Sequence, residues 1–258
     1  MNFILKGNSI YRLFFYIFYH FVSKSHLKNI KVIRNFLKLE MKRFYIGKIK
    51  DVKILFRFED IGILRDIFID KVYWMERLNT CKTLVDIGGH IGGFSLFVMF
   101  HSPFIKKIIC IEPEKNNFEI LSKNLKNFPK NIKITLLRIA LSDKNFIGKL
   151  YLSEFSAAHS LEVGKKSSYQ MISVKTLDDI VKENIDLVKI DAEGSEVKII
   201  RGMKKIMKLY KPCLLIETGH FKNETQMVSE ILKRVGYTPK ILNKKELIIY
   251  ACPRKQLT

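Results

Sequence analysis

The chain has 258 residues, 47% of them apolar, with 46 Lys and Arg against 25 Asp and Glu and a formal net charge of +21. Apolar content at this level excludes a disordered chain, and the length suffices for one α/β domain of ordinary size plus an extension. The basic balance points away from cationic partners and towards a membrane surface, nucleic acid or an acidic glycan, although a lysine-rich proteome would give the same balance.

Residues 1–55 hold twelve Lys and Arg against Glu40 and Asp51. Within them, residues 10–22 read IYRLFFYIFYHFV, strongly aromatic but interrupted by Arg12 and His20. This run falls short of the ~20 apolar residues that a spanning helix needs. No small-x-small cleavage site follows, so a signal peptide fits poorly. Two readings stay open: a helix packing its aromatic face on the rest of the chain, or one lying on a membrane with Lys24, Lys28 and Lys31 near anionic lipid. We expect a basic, aromatic-rich extension over 1–75 and a folded domain over 76–258.

From residue 82 onward, strands are expected at about 83–87, 107–112, 132–137, 186–191, 212–218, 236–242 and 246–252. Helices are expected near 93–101, 114–127, 194–208 and 223–235. Strands alternating with helices imply right-handed βαβ units and a parallel sheet. The last two strands are joined by Asn243-Lys244-Lys245-Glu246, which leaves no room for a helix, so they form a hairpin and one strand runs antiparallel. That feature marks the seven-stranded, Rossmann-like sheet of class I methyltransferases rather than that of dehydrogenases. Residues 138–175 read as an insertion with short strands of its own at 149–152 and 172–175.

Cys81, Cys110, Cys213 and Cys252 form no C-x-x-C pair. Cys110 and Cys213 sit inside apolar strands, where a buried reduced thiol is the usual arrangement. Neither a zinc site nor a disulfide framework is expected. A reducing, cytoplasmic compartment is therefore favoured, with peripheral membrane contact as an addition.

The most informative segment is 84–95, LVDIGGHIGGFS. An apolar strand meets an acid, then a glycine turn, then an amphipathic helix; the next strand ends on Glu112 one βα unit later. Glycines allow a positive φ and a close backbone approach to a ligand. A carboxylate ending the following strand takes the hydroxyls of a ribose in nucleotide-binding α/β folds. The spacing Gly88-x-His90-x-Gly92 is not G-x-G-x-x-G, and fits the adenosylmethionine-binding variant of this architecture.

Taken with IEPEKNNFEILSKNLKNF, IALSDKNFIGKLYL, VKTLDDI and IDLVKIDAEGSEVKIIRGM, in that order, the run LVDIGGHIGGFSLF resembles the FkbM-type methyltransferases over about residues 70–220. The resemblance implies methyl transfer from S-adenosylmethionine to a hydroxyl of a sugar, glycolipid or secondary metabolite. One departure is His90, where the family usually has Asn in a GANIG turn. Histidine also tolerates the left-handed region, so the turn is expected to survive.

Site roles follow. Asp86 meets the cationic end of the cofactor directly or orders the turn through water. Gly88, Gly89, His90 and Gly92 carry the chain under the methionine moiety, and Glu112 chelates the ribose diol. Ala140 and Leu141 flank the adenine, and Ser142-Asp143 reaches its amine. Asp191, ending the fourth strand, orients or deprotonates the acceptor hydroxyl. His159 in the insertion is a second candidate base, with a pKa suited to neutral pH. Glu193, Glu217 and His220 line the acceptor pocket. Hard carboxylates suit Mg²⁺, but nothing in their spacing requires an ion, and no metal site is assigned.

Two competing functions remain. An RNA methyltransferase is suggested by the basic charge. Base-amine methylation in this fold uses an Asn/Asp-Pro-Pro-aromatic turn after the fourth strand; here the place reads Asp191-Ala192-Glu193-Gly194, whose carboxylates repel phosphate. A ribose hydroxyl remains open. The other is a membrane-associated cofactor-binding protein without catalysis, which the intact glycine turn and acidic strand ends disfavour.

Overall fold

The computed structural model describes residues 44–49, 52–126, 128, 131–153, 159–161 and 168–254. The aromatic segment 10–22 and Lys24, Lys28 and Lys31 lie outside the described residues. The chain divides into two compact units, 1–61 and 62–258. In the first, β1 (Phe44–Ile49) and β2 (Val52–Arg57) pair antiparallel from Phe44 opposite Arg57 to Ile49 opposite Val52. Arg57 then grips the buried Asp60 carboxylate with Nε at 3.0 Å and Nη2 at 2.9 Å, a two-point pairing that fixes the turn at Phe58–Asp60.

The second unit is built on apolar runs short enough to be strands and covered on both faces. These are β3 (Thr83–Ile87), β4 (Lys107–Ile111), β5 (Lys133–Leu137), β9 (Leu187–Ile190) and β10 (Cys213–Glu217), parallel to one another. Leu84 and Val85 point to opposite faces and are both fully buried, as are Leu187 and Val188. Each such side chain contributes roughly 1.5–3 kcal/mol on leaving water, an upper figure because an unfolded chain already hides some of it. The expected hairpin closes the sheet: β11 (Tyr237–Asn243) and β12 (Ile248–Pro253) give the order β11-β12-β10-β9-β3-β4-β5, with β12 the antiparallel strand. Chain order reverses at β3, since β4 lies on one side and β9 on the other. A crevice opens at the carboxyl ends of strands at such a reversal.

The insertion is a separate three-stranded sheet: β6 (Ala140–Leu141), β7 (Phe146–Tyr151) and β8 (Tyr169–Lys175), in the order β6-β8-β7. Its small core is Ala140, Leu150, Ile172 and Val174. The helices are α1 (Ile61–Phe68), α2 (Gly93–His101), α3 (Lys115–Lys126), α4 (Leu177–Ile180), α5 (Glu196–Arg201), α6 (Lys204–Leu209) and α7 (Glu224–Arg234). The single helix expected over 194–208 is thus two. The break falls at Gly202, where a Cβ would stand 2.1 Å from the Ser142 carbonyl oxygen, so the backbone packs where only glycine fits.

The expectation of four unpaired thiols is overturned. Cys213 and Cys252 form a disulfide with Cα atoms 4.4 Å apart. Leu214 lies opposite Ala251 in the antiparallel register, which sets Cys213 against Cys252 although 39 residues separate them. The argument for a reducing compartment rested on free thiols and loses that basis. Cys81 and Cys110 are free and buried. Among the described residues no helix is long and apolar enough to cross a membrane.

Candidate active site

The glycine turn is fastened to the neighbouring strand from both sides. The N–H groups of Gly88 and Gly89 both donate to the Ile111 carbonyl at 3.0 Å, and Gly92 N–H donates to Gly89 O at 2.7 Å. Gly88 has φ +73°, and a Cβ there would lie 1.7 Å from the Asp191 carbonyl oxygen, so no side chain fits. His90 takes the left-handed conformation at φ +50°, as its side chain allows. Its N–H donates to Glu112 Oε2 at 2.8 Å.

Glu112 is thereby both the end of β4 and the anchor of the turn. Its other oxygen accepts from Glu114 N–H at 2.9 Å, with Asn117 Nδ2 at 3.4 Å. Burial pushes its carboxyl up to about 7, against the pull of the Glu114 and His90 amides. Gly88, Gly89, His90 and Glu112 line one cleft together with Ala140, Leu141, His159, Asp191, Glu193 and Glu217. Of the other expected residues, Gly92 caps the N-terminus of α2 with φ +89°, and Asp143 is exposed and accepts from Ser142 Oγ at 3.2 Å. Asp86 is fully buried behind the turn; Ser95 Oγ donates to it at 2.7 Å and ties α2 to β3. Burial raises the Asp86 carboxyl, with Lys189 and Ser95 acting in the opposite direction.

The part of the cleft around Asp191 is organised by a residue to which sequence reasoning gave no role. Lys189 is buried, and its Nζ donates to the Gly88 carbonyl and to Asp191 Oδ2, both at 3.0 Å, while lying 3.8 Å from Asp86 Oδ1. Burial opposes its charge, yet Asp191 and Asp86 outweigh that cost and hold the amine above its ordinary value. The available signal was a lysine inside an otherwise apolar strand, which stays buried only when paired. Tyr73, also unforeseen, donates its hydroxyl to Glu217 Oε2 and stacks its ring 5.9 Å from Lys189 Nζ. Burial, then Asp191, push the Glu217 carboxyl up.

His159 lines the cleft and accepts the Ser153 N–H on Nδ1 at 2.9 Å. In the neutral ring that contact places the proton on Nε2. Ser160 Oγ donates to the Glu193 carbonyl at 2.8 Å, joining the insertion to the loop after β9. His220 presents Nε2 to Asp191 Oδ1 and Glu193 Oε2, each at 3.9 Å, and one ligating atom each of Asp191, Glu217 and His220 lies within 4.8 Å of the others. Although burial opposes it, Glu196 and Glu224 lift the His220 imidazole to about 11. They do so as ion-pair partners of Nδ1, at 3.5 and 3.4 Å.

Residues 86–239 match the family described as the methyltransferase FkbM domain. The chain is similar to Methyltransferase sdnD of Sordaria araneosa, 26% identical over 212 residues that cover 68% of this chain and 81% of the relative. It is also similar to Methyltransferase 1 of Beauveria bassiana (strain ARSEF 2860), 22% identical over 165 residues, 55% of this chain and 66% of the relative. A crystal structure of Methyltransferase FkbM from Methylobacillus flagellatus KT shares the fold, with a TM-score of 0.55 and 16% identity. That match covers 73% of this chain and 47% of the other, so this chain spans about half the length of that protein. The residues present fit S-adenosylmethionine: a turn with no room for a Cβ at Gly88, a left-handed residue at 90, and the buried Glu112 carboxylate lining the same cleft. The chain belongs to the FkbM methyltransferase family, and its methyl donor is S-adenosylmethionine.

Proposed function

We propose that the protein is an O-methyltransferase acting on a hydroxyl of a sugar, glycolipid or secondary metabolite. The observation that carries this reading is the acceptor end of the cleft, walled by the carboxylates of Asp191, Glu193 and Glu217. Carboxylates accept hydrogen bonds from hydroxyl groups and repel phosphate, which favours a polyhydroxylated acceptor over a nucleic acid backbone.

Bound adenosylmethionine supplies an electrophilic sulfonium methyl. The chain therefore has to hold the acceptor oxygen in line and receive its proton as the new C–O bond forms. Asp191 takes the central role: Lys189 fixes Oδ2, leaving Oδ1 to orient the hydroxyl or accept its proton. His159, its Nδ1 held by Ser153, lines the same cleft and acts as a donor that orients the acceptor. Much of the acceleration comes from positioning, because the leaving group is good. For residues 10–31 we propose contact with an anionic membrane surface, which would bring the enzyme to a lipid-borne acceptor.

The test is transfer of labelled methyl from adenosylmethionine to fractionated glycans, lipids, small metabolites and RNA of the source cell. Label in an alkali-stable methyl ether on a glycan, glycolipid or metabolite is expected. Label confined to RNA would replace this reading with ribose methylation, and label on nitrogen would overturn O-transfer.

A further inference from the structure

A groove at the other end of the sheet has no part in the reaction above. The cleft lies at the carboxyl end of β10, where Glu217 stands. The groove lies at the amino end, past Cys213, where Tyr237 opens β11 opposite Pro253 of β12. Its volume is about 550 Å³, within the roughly 300–1,000 Å³ of small-molecule sites. The floor is apolar and buried: Ile200 on α5, Met207 on α6, Tyr237 and Pro253. Around it stand five cations, Arg201, Lys204, Lys208, Lys211 and Arg254, all exposed. Among the described residues no Asp or Glu lines the groove, and none of the five takes part in an ion pair.

Local structure does not account for this charge. The helix dipole favours a cation in the last turn, which covers Arg201 and Lys208. Lys204 opens α6, where the same dipole opposes it. Lys211 holds a left-handed backbone at φ +50°, uncommon for a lysine. Like charges around one opening repel one another, and an anion there removes that repulsion. The floor also carries one unmatched polar group. Tyr237 is 2% exposed, and its hydroxyl has no hydrogen-bond partner among the described residues. Buried hydroxyls in native folds are nearly always paired, so this donor is available to an oxygen-bearing ligand.

We infer that the groove binds one anionic lipid, with its aliphatic chain on the floor and its phosphate head among the five cations. A nucleic acid backbone would satisfy the cations and leave the apolar floor unused, and a small free anion would do the same. An aliphatic chain instead removes the floor from water, together with Val235, which is 51% exposed at the groove. Walls from α5, α6, α7 and β12 make a slot for a single molecule and not a flat face for a bilayer. Because groove and cleft lie at opposite ends of β10, the bound lipid serves as an anchor and not as the methyl acceptor.

The test uses the full chain and dodecyl phosphate below its micelle concentration, followed by calorimetry. One equivalent per chain is expected, with affinity falling as salt rises. Inorganic phosphate, which lacks the chain, and dodecyl phosphocholine, whose head is zwitterionic, should each bind at least tenfold more weakly. Lys204→Glu with Lys208→Glu, both at exposed positions, should weaken binding at least tenfold and leave adenosylmethionine affinity unchanged. Tyr237→Phe should weaken it at least threefold while the ligand-free melting temperature holds or rises, since the lost hydroxyl had no internal partner. Should that variant fail to fold, Val235→Asp, at an exposed position, should weaken binding at least tenfold. Absence of stoichiometric binding, equal affinity in the variants, or inorganic phosphate binding as tightly as the amphiphile would overturn the site. Tighter binding of a single-stranded RNA oligonucleotide, lost in the lysine variants, would replace the lipid with nucleic acid. None of these outcomes depends on methyl transfer, so failure here is distinct from failure of the O-methyltransferase reading.

Discussion

Replacing Glu112 with Gln keeps the size of the side chain and removes its charge, which tests the donor site and its pH dependence together. Both carboxylate oxygens accept backbone amides, from His90 and from Glu114; Oε2 keeps a lone pair for one ribose hydroxyl, and the second hydroxyl would displace the long 3.4 Å contact of Asn117 Nδ2 from Oε1. Hydrogen bonds to a charged group contribute about 1.5–3 kcal/mol, against about 0.5–1.5 for neutral pairs. Losing the charge from two such bonds should therefore cost roughly 2–3 kcal/mol, or about 30- to 150-fold in adenosylmethionine affinity at pH 8.

The sign with pH follows from burial. The Glu112 carboxyl sits at about 7 in the fold, above its ordinary 4.5, so the fold favours the neutral acid. At about 1.4 kcal/mol per pH unit, roughly 3 kcal/mol of stability in the ligand-free protein is lost as pH rises from 4.5 to 7. Ribose hydroxyls favour the carboxylate instead, so the wild type should bind most tightly above pH 7. Below it, affinity should weaken about tenfold per pH unit with release of a proton on binding. Calorimetry from pH 5.5 to 8 in buffers of different ionisation enthalpy measures both. The Gln variant should be flat with pH, its deficit shrinking in acid. A flat wild-type profile, or an equal slope in the variant, would remove Glu112 from the ribose.

Asp191→Asn should lower turnover by about 10²–10⁴-fold with donor affinity within a few-fold, whereas near-wild-type turnover would move the assignment to His159 or to positioning alone, and His159→Ala in the same assay decides between those two. Lys189→Met leaves Asp86 and Asp191 without their buried cation and should cost about 3–5 kcal/mol in chemical denaturation; adding Asp86→Asn should recover part of that, and additive losses would refute the pairing. Gly88→Ala, which aims a methyl at the Asp191 carbonyl, should abolish adenosylmethionine binding, and retained affinity would contradict the packing of the turn. Removing residues 1–32 should eliminate salt-sensitive binding to anionic vesicles, at ~1 kcal/mol per near-surface lysine, and leave a folded enzyme. Aggregation of the truncated protein would instead favour packing of the aromatic segment.

The strand and helix order, the antiparallel partner in the final hairpin and the glycine turn with Glu112 were legible in the sequence because each follows from rules acting over a few residues. Apolar runs set strands, Gly88 and His90 set a left-handed turn, and four residues between two strands permit only a hairpin. Tertiary structure alone decided what depended on distant residues meeting. Cys213 and Cys252 pair because two strands align in one register. Lys189 stays charged because Asp86 reaches it from the neighbouring strand, in addition to Asp191 two residues along. Gly202, where the helix breaks, has to be glycine because a carbonyl from the insertion lies against it. Glu196, His220 and Glu224 converge from separate elements. Local propensity and periodicity carry no information about such contacts, since they depend on how elements pack and not on the order in which their residues are joined.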